Sequence, residues 1–527
     1  MREPKKTQPG LLLALICIPI FIGALDLTVV SAVLPHVIVD LEIPLQTGLD
    51  DAAWIVTGYL LAYSVSMTFM GRLSDLHGRR RTYLLALVIF AFGSYLVAVS
   101  QGWPTEVALR TGYMFVSGRL DVSYVTLYVL IAARMIQAFG AGTMVPVGMA
   151  LVADLYPADR RARSLGLIAA VDTAGWVVGH LYGGIVVRYW NWEAIFWLNL
   201  PVCLIAFLLI WYLLRGIPQD RSTGSMDWFG ALLITVSLAL LNLGLSSRSE
   251  GLSLNSLDEK SNISQYSVPL VLSALLFLGL FLWRQKKAHY PLIDLSLFKH
   301  QNYLFASLAN FLVGFSLFIA IANVPLFINT LVATSLEQGA WDSGWMLSAL
   351  TIPLALASVP GGWLSEKRGY RLPAAIGLIL AVCGFLLMRS WGAETAYATL
   401  ASQLAISGIG IGLTMAPVAA AVVNASPSDQ RGISSALVII FRLIGMTIGI
   451  SSITTYDLLR ADVLSERLLS TTSTLSETMQ VGMEVTERVI SETFVIAGLV
   501  AALALIPVLL LKSTFKQTSE VNNEREQ

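Results

Sequence analysis

Charge is scarce in this chain: Asp, Glu, Lys and Arg make up 13% of its 527 residues, against 56% hydrophobic residues. Between Leu11 and Leu511 the charges are almost wholly excluded from fourteen long apolar stretches. A water-soluble domain has no use for that much apolar surface, so a soluble enzyme or binding module is excluded. The 34 acidic and 34 basic residues balance to a net charge of zero. No basic stripe appears outside one set of loops, which argues against nucleic acid as a partner. Cysteine is nearly absent. Cys17, Cys203 and Cys383 all fall inside apolar stretches, where they read as small packing residues rather than a disulfide framework. There is no Gly-x-x-x-x-Gly-Lys-Ser/Thr to cradle ATP phosphates, no His-Glu-x-x-His, no Cys/His cluster and no Gly-x-Ser-x-Gly. No metal, cofactor or catalytic function is expected, and any uphill work must draw on an ion gradient or the membrane potential.

What is present is length and apolarity in the right unit. About 20 helical residues at 1.5 Å each cross the ~30 Å hydrocarbon core. The pattern predicts an all-α polytopic membrane protein with spans at about 11–34, 52–70, 82–100, 126–153, 164–187, 195–214, 227–247, 267–284, 303–328, 343–363, 373–389, 397–423, 433–456 and 493–511. The first is too long for a signal sequence and shows no small-residue cleavage site, so it is expected to stay as a helix. Lys and Arg gather at alternate segment ends, as at Arg79 to Arg81, Arg160 to Arg163, Lys286 to Lys287 and Lys367 to Arg371. Short cytoplasmic loops retain such residues, so both termini are expected in the cytoplasm, with the chain in the plasma membrane. Two loops on the opposite side are long, about 101–125 and 457–491. The second is rich in helix formers and reads equally as a surface helix or a solvated connector.

Two stretches repeat. Gly71-Arg72-Leu73-Ser74-Asp75-Leu76-His77-Gly78-Arg79-Arg80 is echoed by Gly362-Trp363-Leu364-Ser365-Glu366-Lys367-Arg368-Gly369-Tyr370-Arg371, and Pro157-Ala158-Asp159-Arg160-Arg161 by Pro427-Ser428-Asp429-Gln430-Arg431. Same-sense repeats mark a transporter built by duplication, with its substrate site between the halves. The expected organisation is an N-terminal six-helix bundle (1–215), a linker with two additional helices (216–299) and a C-terminal six-helix bundle (300–527).

An ionisable side chain inside a span costs about 2.5–3.5 kcal/mol on insertion scales, so each asks for a reason. Asp26, Asp172, Arg134 and Arg442 meet that description. Burial disfavours a carboxylate's charge and a nearby Arg favours it, so Asp26 and Asp172 are candidates for proton coupling, with Arg134 and Arg442 as partners. A fixed ion pair holding helices together is the plainer explanation. Gln137, Asn310 and Asn323 are candidate cavity polars, as is Gln403. Gly175, Gly179, Gly183 and Gly184, and Gly445 and Gly449, permit close helix contact. His180, near a helix end, reads as an ordinary polar contact. Gly71, Asp75, Gly78, Arg79 and Arg80 read as a conformational latch, since a carboxylate is favoured near a helix N-terminus.

These residues resemble the major facilitator superfamily, and within it the fourteen-helix drug:proton antiporters. The marks are the Gly71–Arg80 loop, Arg134 with Gln137, the glycine run of the fifth span, Leu25-Asp26-Leu27-Thr28-Val29-Val30, and the stretch from Trp190 to Pro201. The resemblance implies the major facilitator fold and proton-driven export of small hydrophobic or amphipathic molecules by alternating access. It links the Asp26 position to coupling, the Arg134 position to proton transfer and the Gly71–Arg80 loop to gating. Gly179-His180 stands where the family has Gly-Pro, and Ala138 where it has Gly. Trp54 to Leu61, Asp172 and Arg442 to Gly449 further resemble the branch with the mycobacterial triacylglyceride exporters, although the loop near Ser390 to Tyr397 lacks that branch's long insertion. Multidrug-type efflux is the first expectation. Export of a glycerolipid, with a lipid carrier as partner on the far side, is the alternative, and a membrane enzyme or receptor is the remote one.

Overall fold

The computed structural model describes residues 9–43, 49–115, 120–215, 221–222, 224–246, 267–333, 335–469 and 475–512. The basic residues before Pro9, the tail after Lys512, Gly216 and the side chain of His180 lie outside the described set.

In hydrocarbon every backbone N–H and C=O must find its partner inside the segment, which leaves the helix as the natural form for apolar runs of this length. Among the described residues the chain forms fifteen α-helices and no strand. They are α1 (Pro9–Asp40), α2 (Leu49–His77), α3 (Arg79–Ala98), α4 (Trp103–Phe115), α5 (Val122–Leu155), α6 (Arg161–Tyr189), α7 (Glu193–Leu213), α8 (Trp228–Ser246) and α9 (Ser267–Lys287). The series continues with α10 (Gln301–Phe327), α11 (Leu336–Arg368), α12 (Arg371–Leu387), α13 (Tyr397–Asn424), α14 (Arg431–Leu469) and α15 (Leu475–Leu509). All but α4 are long and apolar enough to cross a membrane, giving the 14 spans expected. Pro146, Pro353, Pro360 and Pro417 sit inside helices, as spanning helices tolerate when neighbours satisfy the freed carbonyls.

The loops differ from expectation in two places. The first long loop carries α4, a helix of 13 residues. The described residues of the second are not a separate surface helix but the continuation of α14 and α15, whose 39 and 35 residues run to about 58 and 52 Å at 1.5 Å per residue. Leu464, Val485 and Val489 pack together there, with Ala461 and Val481 against them.

The chain packs as two compact units, one of Met1–Pro157, Val171–Asp227 and Pro427–Ala436, the other of Ala158–Ala170, Trp228–Ser426 and Leu437–Gln527. Each unit therefore includes a short segment from the opposite half of the sequence. In the first, Gly175 and Gly179 of α6 lie on α1: a Cβ at Gly175 would sit 2.6 Å from the Ala24 Cβ, and one at Gly179 would sit 2.6 Å from the Leu25 carbonyl oxygen. Gly183 is buried, whereas Gly184 faces open space with nothing within 4 Å of its missing Cβ. In the second unit Gly445 and Gly449 of α14 lie on α10, against the Phe311 and Phe315 backbone. The additional pair α8 and α9 pack on each other, and Ser237 Oγ donates to the Ala274 carbonyl at 2.8 Å.

Candidate functional site

The first unit holds a closed polar knot built from five helices. Asp26 (α1) and Arg134 (α5) are 0% and 1% exposed. Arg134 Nη1 donates to Asp26 Oδ2 at 2.5 Å and to Gln137 Oε1 at 2.6 Å, and Arg134 Nη2 donates to the Asp26 carbonyl at 3.2 Å. Gln137, one turn further along α5, donates through Nε2 to Asp26 Oδ1 at 2.9 Å and to Ser94 Oγ of α3 at 2.7 Å. Asn199 of α7 donates to the same two acceptors at 3.4 and 3.3 Å. The guanidinium lies 4.1 Å from the Tyr59 ring of α2 and 5.5 Å from the Phe196 ring of α7, so aromatic faces cover the cation where no carboxylate does. The knot exists because α3 and α5 approach closely. A Cβ at Gly93 would fall within 2.6 Å of Gln137 backbone and side-chain atoms, and one at Gly140 would meet the Phe90 nitrogen.

The knot carries one positive and one negative charge with nearly every donor engaged, the condition under which a buried ion pair is tolerated. A proton added to Asp26 would remove its charge and leave Arg134 held by the Gln137 amide oxygen, the Asp26 carbonyl and two aromatic faces. The arrangement is thus able to register one proton as a change in what restrains α5 against α1.

The other expected residues lie elsewhere. Asp172 is buried on α6 and is not among the hydrogen-bond partners of Asp26, Arg134, Gln137 or Asn199. Arg442 belongs to the second unit, is partly buried and donates to Met415 Sδ at 3.6 Å. Asn310 donates to the Val438 carbonyl, Asn323 donates to Thr493 Oγ1 at 2.5 Å, and Gln403 accepts from Trp391 Nε1 at 2.7 Å, so all three engage neighbouring elements. Ser94, Asn199 and Tyr59 were missed. Asn199 lies inside the Trp190–Pro201 stretch, but an uncharged polar residue in an apolar run gives little signal.

The repeated loops show how the duplication works in structure. Asp75, 0% exposed, accepts from the backbone N–H groups of Gly432 and Ile433 at 2.8 and 2.9 Å, and so caps α14. Arg79 Nη2 donates to Asp75 at 3.2 Å, and its Nη1 pairs with Asp154. Arg431 Nη1 reaches the same Asp154 at 3.2 Å. Arg80 donates to the Trp211 carbonyl at 2.5 Å. Gly71 is at van der Waals limits, since a Cβ there would lie 2.9 Å from the Ala436 Cβ. In the second unit Glu366, in the position matching Asp75, accepts from the Arg163 N–H at 2.9 Å near the start of α6. Gly78 and Gly369 occupy matching positions and turn the chain at φ 98° and 77°, a conformation that favours glycine.

Residues 16–450 match the family model of the Major Facilitator Superfamily. The chain belongs to that superfamily. With 14 helices long and apolar enough to cross a membrane, it is a polytopic member of a transporter superfamily. It is 31% identical over 469 residues to a triacylglyceride transporter of Mycolicibacterium hassiacum, covering 87% of this chain and 81% of that one. A triacylglyceride transporter of Mycobacterium tuberculosis is 30% identical over 455 residues (84% and 81% covered). A probable one of Mycobacterium leprae is 28% identical over 520 residues (95% and 96%). The likeness to that branch, which Trp54 to Leu61, Asp172 and Arg442 to Gly449 suggested, is therefore supported. Among solved structures, the human organic anion transporter MFSD10 superposes with a TM-score of 0.56 at 15% identity, covering 94% of this chain and all of that one. The proton:xylose symporter XylE superposes with a TM-score of 0.55 at 13% identity, covering 93% and 94%. At such identities the likeness is one of fold.

Proposed function

We propose that this protein is a proton-coupled exporter of a glycerolipid in the plasma membrane, with both termini in the cytoplasm. The observation that carries the cargo is identity of about 30% to proteins named as triacylglyceride transporters, spread over four-fifths of their length. This favours the lipid reading over multidrug-type efflux, for which the sequence offered only the broader family pattern. The driving force is assigned to the proton gradient, with Asp26 as the proton acceptor and Arg134 as the group whose restraint changes. Asp172 and Arg442 are retained as further charged participants, and the Gly71–Arg80 loop as the gate. Delivery of so apolar a product calls for a lipid-carrier protein on the far side.

The test is transfer of a fluorescent triacylglycerol in proteoliposomes under an imposed pH gradient, run beside a cationic dye. Gradient-dependent lipid movement that Asp26→Asn abolishes supports the proposal. Dye movement without lipid movement would overturn the cargo, and lipid movement indifferent to the gradient would overturn the coupling.

A further inference from the structure

The helix α4 is too short to span, about 20 Å at 1.5 Å per residue, yet it exposes apolar side chains on one face. It follows α3 without slack: Gly102 N–H donates to the Val99 carbonyl at 2.9 Å, and Thr105 Oγ1 donates to the Ser100 carbonyl at 2.6 Å. The 20 residues of α3 match the ~30 Å hydrocarbon core, so α4 begins where the core ends, at the side away from the Gly71–Arg80 loop.

Its two faces differ. Thr105 is buried and Ala108, Leu109 and Gly112 are half-buried, with the missing Cβ of Gly112 placed 2.6 Å from Leu120 Cδ1. Trp103, Val107, Arg110 and Met114, spaced by four, three and four, share the opposite face, and the three apolar members are 50%, 52% and 79% exposed. Tyr113 flanks them, and Phe115 at the last turn is 84% exposed, the highest value among the large apolar side chains described.

We infer that α4 is an interfacial helix whose Trp103–Val107–Met114 face is seated in the headgroup–acyl boundary of the adjacent leaflet, with Arg110 at the level of lipid phosphate. The occupant follows from continuity. Val88 and Phe92 of α3 and Val122 and Tyr128 of α5, the spans on either side, are exposed apolar residues of membrane-crossing helices, so the same lipid surface reaches α4. Amphipathic helices with Trp, Phe or Leu along one face lie in that plane, and the Arg110 stem can lie along the apolar face while its guanidinium reaches up to the phosphates. The helix thereby fixes the depth of the α3–α5 end, whatever the cargo.

The test is spin labelling at Trp103→Cys, Val107→Cys and Met114→Cys, with Gln101→Cys as the reference. The background replaces Cys17, Cys203 and Cys383, and the protein sits in phosphatidylcholine–phosphatidylglycerol nanodiscs. Oxygen-to-nickel-chelate accessibility several-fold above the reference at all three face positions supports the inference. Nickel accessibility equal to the reference would show an aqueous face, and shielding from both reagents would show a protein partner; either overturns it. Where a labelled variant does not fold, the difference in tryptophan fluorescence between the wild-type chain and Trp103→Phe is read in brominated lipid. Quenching of that component by headgroup-proximal bromines is expected, and its absence overturns the inference.

Discussion

Arg134 has donors, no acceptor and no means of losing its charge, so its surroundings decide what Asp26 can do. Removing the cation alone leaves a carboxylate that is 0% exposed without a counter-charge, and breaking a buried pair in this way costs about 3–5 kcal/mol. Arg134→Ala is therefore expected to melt well below the wild-type protein in detergent. Adding Asp26→Asn to it should recover most of the loss, while gradient-driven transport stays absent. Equal melting of Arg134→Ala and wild type would show that the pair contributes nothing to stability. The acid and the base were legible in the sequence because charge in an apolar run is conspicuous. Gln137 was seen but placed in a cavity. Its spacing of three from Arg134 puts the two on one helix face, which is the signal that it serves the guanidinium. Ser94 and Asn199 left no comparable mark, because their position beside Asp26 depends on how α3 and α7 pack.

At the scale of elements, each repeated loop supplies a carboxylate to the start of a helix from the opposite half of the sequence: Asp75 to α14 and Glu366 to α6. An N-terminal cap is worth about 0.5–2 kcal/mol. The two caps are unequal. Asp75 serves two amides and an arginine from full burial, whereas Glu366 serves one amide. Asp75→Ala should therefore speed amide exchange at Gly432 and Ile433 more than Glu366→Ala speeds it at Arg163, as read by mass spectrometry. The reverse order would show that burial adds nothing to the cap. Helix ends were the least legible part of the fold. A hydropathy reading stops a span where charge begins, but α14 continues through Asp457, Arg460 and Asp462 to Leu469, because charge is compatible with helix once it is outside hydrocarbon. Likewise α4, which contains Glu106 and Arg110, could not register as a span and went unseen as a helix.

For the whole molecule, the parity of the helix count carries the argument. The spans on either side of the additional pair α8 and α9 can keep the same sense only if the insertion is even, and among the described residues there are two helices there. The matched loops agree, since the positive-φ glycines Gly78 and Gly369 fall at the same place in each repeat and both loops are rich in Arg or Lys. On the topology proposed here, duplicated loops of one sense share one face of the membrane, and the retention of basic residues by short cytoplasmic loops makes that face the expected cytoplasmic one. A single cysteine placed at His77 or at Lys367, in a background without the native three, should be protected from a membrane-impermeant maleimide in intact cells and labelled in inverted vesicles. Both positions must behave alike. Opposite behaviour would mean that one of α8 and α9 does not cross, and the second half would then be inverted relative to the first. Labelling of both in intact cells would preserve the duplication and reverse the orientation, turning the exporter proposed here to face the wrong way.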